Sequence, residues 1–219
     1  MFTRSNQVYI ANVCFRNTHV TTIKSKLVDK VKHFTFTKMV RAWIMDEDSM
    51  VDQRKPHRLS DEHDISLDYL RQLGVLYWKF KPSTFDRDPA FIEMKKSRGY
   101  TYQDIIEVSP EKLDNYEEKL KIFYEEHIHT DEEIRYVLEG SGYFDVRDTD
   151  DKWIRIEVKK GDMITLPAGI YHRFTLDENN YIRALRLFVG EPVWTAYGRD
   201  KIDENHPSRL KYKQMISCN

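Results

Sequence analysis

The chain has 219 residues, enough to bury one sizeable core, and its 35 basic and 36 acidic side chains leave a net charge of −1, which offers no support for a nucleic-acid binder or an unfolded polyelectrolyte. Its two cysteines, Cys14 and Cys218, lie near opposite ends and make neither a disulfide framework nor a thiolate cluster, so any metal must use nitrogen and oxygen ligands. No apolar run approaches the about 18 residues that cross a bilayer, which makes a soluble intracellular protein the expectation.

Residues 1–38 carry seven basic side chains against Asp29 alone, +6, and leave −7 for the rest of the chain. Their Ser and Thr content overlaps with organellar transit peptides, but the expectation is a poorly ordered upstream extension joined to a single domain over 39–219. A short strand at "MVRAWIMDED" precedes a polar stretch, Asp46 to Asp64, that reads as a loop with solvated His57 and His63. "ISLDYLRQLG" places Leu67, Leu70 and Leu73 on one helical face with Gly74 as a left-handed stop, and "VLYWKF" reads as a strand. In "DRDPAFIEMKKSRG" Asp88 can cap, Pro89 suits a first turn and Gly99 ends the helix. "TYQDIIEVS" and "KLDNYEEKLKIF" continue the helical patterning, giving a helical part over about 64–120. From about residue 121 to 197 short β-rich runs broken by glycine, proline and acidic turns point to a barrel or sandwich. A phosphate-binding glycine loop is absent from the sequence.

Side chains two apart on a strand share a face, so His127 and His129 can approach one ion, and Glu133 and Arg135 continue the even-numbered series. A turn near Thr130 and Asp131 would still let a paired strand return Glu133 beside the histidines. A second segment, "GDMITLPAGIYHRF", bends through Gly161, Pro167 and Gly169 before His172; alone it reads equally as a hairpin with a locally bonded histidine.

Together the two segments resemble the paired signature of the cupin superfamily: His127-x-His129, three residues, Glu133, six residues, Gly140; then Gly161, five residues, Pro167-x-Gly169, two residues, His172. Two framework positions depart from it, Lys121 where a glycine is usual and Leu176 where an asparagine is usual. "FYEEHIHTDEEIRY", "GSGYFDVRD", "LPAGIYHRFT" and "LFVGEPVWTAYGR" resemble the acireductone dioxygenase family of methionine salvage, from Met39 to about Tyr212. The resemblance implies a double-stranded β-helix or jelly-roll barrel, mainly β with peripheral helices, and one metal ion on His127, His129, Glu133 and His172.

Such a donor set suits Fe(II) or Ni(II), with Co(II) and Mn(II) as further candidates, and leaves two octahedral positions for a chelating enediolate. The family is described as giving a 2-oxo acid and formate with iron, and a shorter carboxylate, formate and carbon monoxide with nickel. By the same resemblance Arg135 and Arg186 are substrate-facing cations, with surface ion pairing as the alternative; Phe123, Phe174 and Trp194 form a dry wall for a methylthio tail, or else plain core. The partners implied are an acireductone and O2, with no nucleic acid and no membrane span; family members are also linked to the cytoplasmic tail of a membrane protease. A monomer is implied, as is a cytoplasmic location with nuclear and peripheral plasma-membrane presence. Two other readings stay open: a metal-dependent cupin sugar-phosphate isomerase, separated by its indifference to oxygen, and a non-catalytic cupin interaction protein.

Overall fold

The computed structural model describes residues 40–59 and 63–218, so the expectation for residues 1–38 lies outside the described residues. In chain order the first elements are β1 (Arg41–Ile44), α1 (Leu67–Gln72), β2 (Leu76–Lys79), α2 (Pro89–Ser97), β3 (Tyr102–Val108) and α3 (Tyr116–Tyr124). Then come β4 (His127–Ile128), β5 (Glu133–Arg147), β6 (Trp153–Lys159), β7 (Asp162–Leu166), β8 (His172–Leu176), β9 (Ile182–Phe188), β10 (Tyr197–Gly198) and α4 (Pro207–Ser217). None of the described helices is long and apolar enough to cross a membrane.

The strands form two antiparallel layers that share β5. Its first half pairs with β7 and β9, which carry β2 and β3 on their far sides. Its second half pairs with β6 and β8, and that layer runs β1-β6-β5-β8-β4-β10. The switch between layers falls at a register shift between Val137 and Glu139, followed by Gly140 at φ +74°, where a Cβ would stand 2.1 Å from the Tyr181 carbonyl oxygen. A residue that both turns the strand and touches backbone on the other side has to be glycine.

Alternation along β5 separates two cores. Ile134, Tyr136 and Leu138 point outward into a cluster with Phe80, Phe91 and Met94 under α2. Val137, Phe144 and Val146 belong to the interior cluster with Ile154, Ile156, Ile164, Leu166 and Leu176. Glu133 and Arg135 share the parity of Val137 and therefore face the interior, where they line a cavity.

The helix signals read as the sequence implies. Asp88 accepts the Ala90 amide at 2.9 Å, Pro89 opens α2, and Gly74 and Gly99 close α1 and α2 in the left-handed region. "TYQDIIEVS" does not: it is the seven-residue strand β3, paired with β9 along its whole length. Its paired isoleucines and Val108 favour a pleated, half-buried surface, and β9 offers an open edge to fill. The segment read as mainly helical thus contributes β2 and β3 to the barrel, and α4 follows beyond the barrel.

His57 also departs from the loop reading. It is buried, at φ 47°, with its ring nitrogens 2.9 Å from the carbonyl oxygens of Asp46 and Asp52, so it organises the 46–59 loop instead of facing solvent. His63 is exposed.

Candidate metal centre

β4 and β8 are neighbours, and His127 stands directly opposite His172 in their register. β4 ends after Ile128, the chain turns, and β5 brings Glu133 back from the other layer, so the even-numbered series is two strands and not one. One ligand atom from each of His127, His129, Glu133 and His172 lies within 4.8 Å of all the others. Glu133 Oε2 is 3.2 Å from His129 Nε2 and 3.3 Å from His172 Nε2.

The orientation of each imidazole is fixed from behind. His127 Nδ1 sits 2.7 Å from the Glu125 carbonyl oxygen, His129 Nδ1 2.8 Å from that of Thr195, and His172 Nδ1 2.9 Å from that of Ile170. A carbonyl oxygen can only accept, so each Nδ1 carries a proton and each Nε2 is left facing the centre, where it can give its lone pair to an ion when the ring is neutral. Three neutral imidazoles and one carboxylate, turned inward with their outer nitrogens already bonded, make a donor set that fits a divalent ion.

The electrostatics differ from ring to ring. Burial, with His172 close by, pushes His127 down to about 3, so its ring stays neutral. Burial also opposes charge on His129, but the hydrogen bond and negative charge of Glu133 outweigh it and raise that imidazole. Burial acts against an ionised Glu133 too; the positive charge of Arg135 and the hydrogen bonds from His129 and His172 prevail and hold its carboxyl well below the usual range. Arg135 Nη2 lies 3.2 Å from Glu133 Oε1, and its Nη1 donates to the Ile134 carbonyl at 3.0 Å. Burial, together with the like charge of Arg186, lowers the Arg135 guanidinium despite Glu133 and Asp104.

The four ligands line a cavity of about 210 Å³ whose wall also includes Ile106, Val108, Phe123, Phe144, Phe174, Ile182 and Trp194, with Arg135 and Arg186 as its cations. Phe174 makes edge and tilted contacts with Phe123 and Phe144 at 6.4 and 4.9 Å between centroids. Trp194 is half-exposed on a strap, residues 189–196, that runs from β9 to β10, and since it also lines the cavity it stands where the cavity meets solvent. That strap also supplies the Thr195 carbonyl to His129. The structure therefore brings all nine residues singled out in the sequence to one cavity. Arg186 is also ion-paired, donating from Nε and Nη2 to Asp104 at 2.7 and 2.6 Å. Its pairing and its place in the lining coexist. Missed in the sequence were Ile106 and Val108, hidden by the helical reading of β3, and Thr195, whose contribution is a backbone carbonyl.

Comparison with known proteins gives a consistent result. The model of the ARD/ARD′ family matches residues 41–196. An acireductone dioxygenase of Monodelphis domestica is 65% identical over 179 residues, covering 82% of this chain and 98% of the relative. Acireductone dioxygenase 1 of Physcomitrium patens is 62% identical over 173 residues, 79% of this chain and 88% of the relative. Among solved structures, an acireductone dioxygenase from Bacillus anthracis with a cadmium ion in its active centre aligns with a TM-score of 0.57 at 25% identity, covering 72% of this chain and 97% of that one.

Proposed function

The chain belongs to the ARD/ARD′ family, a cupin barrel, and from that premise we propose that it is a metal-dependent dioxygenase that cleaves the methylthio-bearing acireductone of methionine salvage with O2. His127, His129, Glu133 and His172 would hold one Fe(II) or Ni(II) ion, and the ion present would decide between the 2-oxo acid and formate, and the shorter carboxylate, formate and carbon monoxide. When bound, such an ion supplies Lewis acidity that favours the deprotonated enediol.

The chain's own residues do the rest. Arg135 and Arg186 place fixed positive charge beside an enediolate, where it offsets charge that would otherwise be unfavourable in a cavity this apolar. Phe123, Phe174 and Ile182 give a thioether tail a dry surface, and Trp194 limits the entry of bulk water. Each Nδ1 keeps its proton, donated to a backbone carbonyl oxygen, so the imidazoles serve as ligands and not as proton shuttles.

The observation that carries this reading is the convergence of three oriented Nε2 atoms and one carboxylate in the wall of a mostly apolar cavity. That lining also argues against a sugar-phosphate substrate, which would bring many hydroxyls to a wall with few partners for them. Fe(II)-loaded protein should consume O2 with an acireductone and release formate and a 2-oxo acid, and Ni(II)-loaded protein should release carbon monoxide. Absence of O2 uptake by either loaded form, or full activity in His127→Ala and Glu133→Ala proteins, would overturn the proposal.

A further inference from the structure

Three charged residues stand in one row across the layer formed by β3, β9 and the first half of β5: Asp104 of β3 opposite Arg186 of β9, and Arg186 opposite Arg135 of β5. Residues paired in register share a face, and two of this row, Arg135 and Arg186, line the cavity. Arg186 is gripped on two sides. Asp104 takes two of its donors in a fork-to-fork pair at 2.7 and 2.6 Å, and the indole of Trp194 lies over its guanidinium, 3.8 Å from centroid to Cζ. Trp194 is held in turn by Phe188, edge to face at 4.8 Å. The guanidinium keeps three further N–H donors after Asp104 has taken two.

We infer that Asp104 is a positioning residue for the substrate cavity: it acts through Arg186, fixing that guanidinium toward the pocket and, through the stacked Trp194, seating the strap over the mouth. The inference rests on the dioxygenase reading and extends it to a residue on an edge strand, outside both ligand segments. The reason is electrostatic and geometric. Arg135 and Arg186 are like charges directly opposite each other on paired strands, an arrangement that is unfavourable without a counter-charge. Glu133 answers Arg135 and Asp104 answers Arg186. Without the Asp104 carboxylate, Arg186 is pushed from Arg135 toward water, and the indole loses the flat cation it rests on.

The test uses the full metal-loaded chain. Asp104→Asn removes the charge at nearly constant shape, Asp104→Glu keeps it, and Asp104→Ser is a second neutral variant should the amide fold poorly. Expected is a rise in KM for the acireductone of about tenfold or more in the neutral variants, with kcat changed far less, metal content unchanged, and substantial recovery in Asp104→Glu. In an Arg186→Gln background the same substitution should add little, because its route is gone. Trp194 emission, isolated by subtraction of a Trp194→Phe protein, should shift in Asp104→Asn without any substrate. An unchanged KM and unchanged emission in Asp104→Asn would overturn the inference, as would an undiminished effect in the Arg186→Gln background. If the wild-type protein consumes no O2 with an acireductone, the functional reading fails, and the emission measurement still decides whether Asp104 seats the strap.

Discussion

At the scale of single residues, the site is built from side chains with no freedom left at their outer atoms. Replacing His172 or Glu133 removes a donor that nothing nearby can substitute, so His172→Ala and Glu133→Gln proteins purified in parallel with wild type should carry little metal by elemental analysis while keeping the far-UV dichroism of the barrel. Acid should release the ion in a particular way. Metal requires neutral imidazole, so a ring whose proton affinity is raised loses the competition first. His129 is raised by Glu133 and should protonate first as pH falls, whereas His127, near 3, takes up a proton only in strong acid. Calorimetry in buffers of different ionisation enthalpy should therefore find proton uptake accompanying release of the ion as pH falls; release with no proton uptake would contradict it. A second buried group tests the scaffold: Arg155, fully buried, donates to Asp145 at 2.7 and 2.9 Å and to the carbonyl oxygens of Gln53 and Lys55. Asp145→Ala should cost about 3–5 kcal/mol in denaturant unfolding by stranding that charge. The ligands were legible because residue type and spacing both announce them, whereas the pairing of Asp104 with Arg186 depends on a strand register 82 positions apart.

Elements decide where those residues meet. The turn before β8 is pinned by α4, whose Arg209 donates to the Gly169 carbonyl at 2.8 Å, and the same helix is tied to the end of α1 by Tyr212, which donates to the Leu73 carbonyl at 3.2 Å. Gly169 has φ +82°, and a Cβ there would stand 2.2 Å from the Ser208 carbonyl oxygen. Gly169→Ala should then cost at least the about 1–2 kcal/mol of a left-handed alanine and shift α4. Because Ile170 and His172 follow at once, weaker metal binding in titration should accompany the lower urea midpoint. The glycine and the proline of this turn were plain in the sequence, since both are needed for a tight bend. β3 was not, because Gln103, Asp104 and Glu107 dilute its apolar pattern, and only the free edge of β9 gives the run a reason to extend.

Across the whole molecule the shared strand β5 is the organising feature, tying Glu133 in one layer to the His127 and His172 strands of the other. An ion at their junction binds the folded state alone. At about a hundredfold above its Kd it should add about 2.7 kcal/mol, a rise of roughly 5–10 °C in Tm for a chain of this size. Thermal scans before and after chelation check this. The barrel itself was readable from the cadence of short strands and turns, but a strand that changes partners midway leaves only Gly140 as its trace. The carbonyl that orients His129 belongs to the same strap as the indole at the mouth, so the doorway of the cavity and a fastening of its ion are one piece of chain. Admission and retention are coupled: a reductone with a tail too broad for the gap must lever the strap aside and thereby free an imidazole to swivel. Such compounds should act less as poor substrates than as slow demetallating agents, stripping the ion during turnover at a rate that grows with tail width.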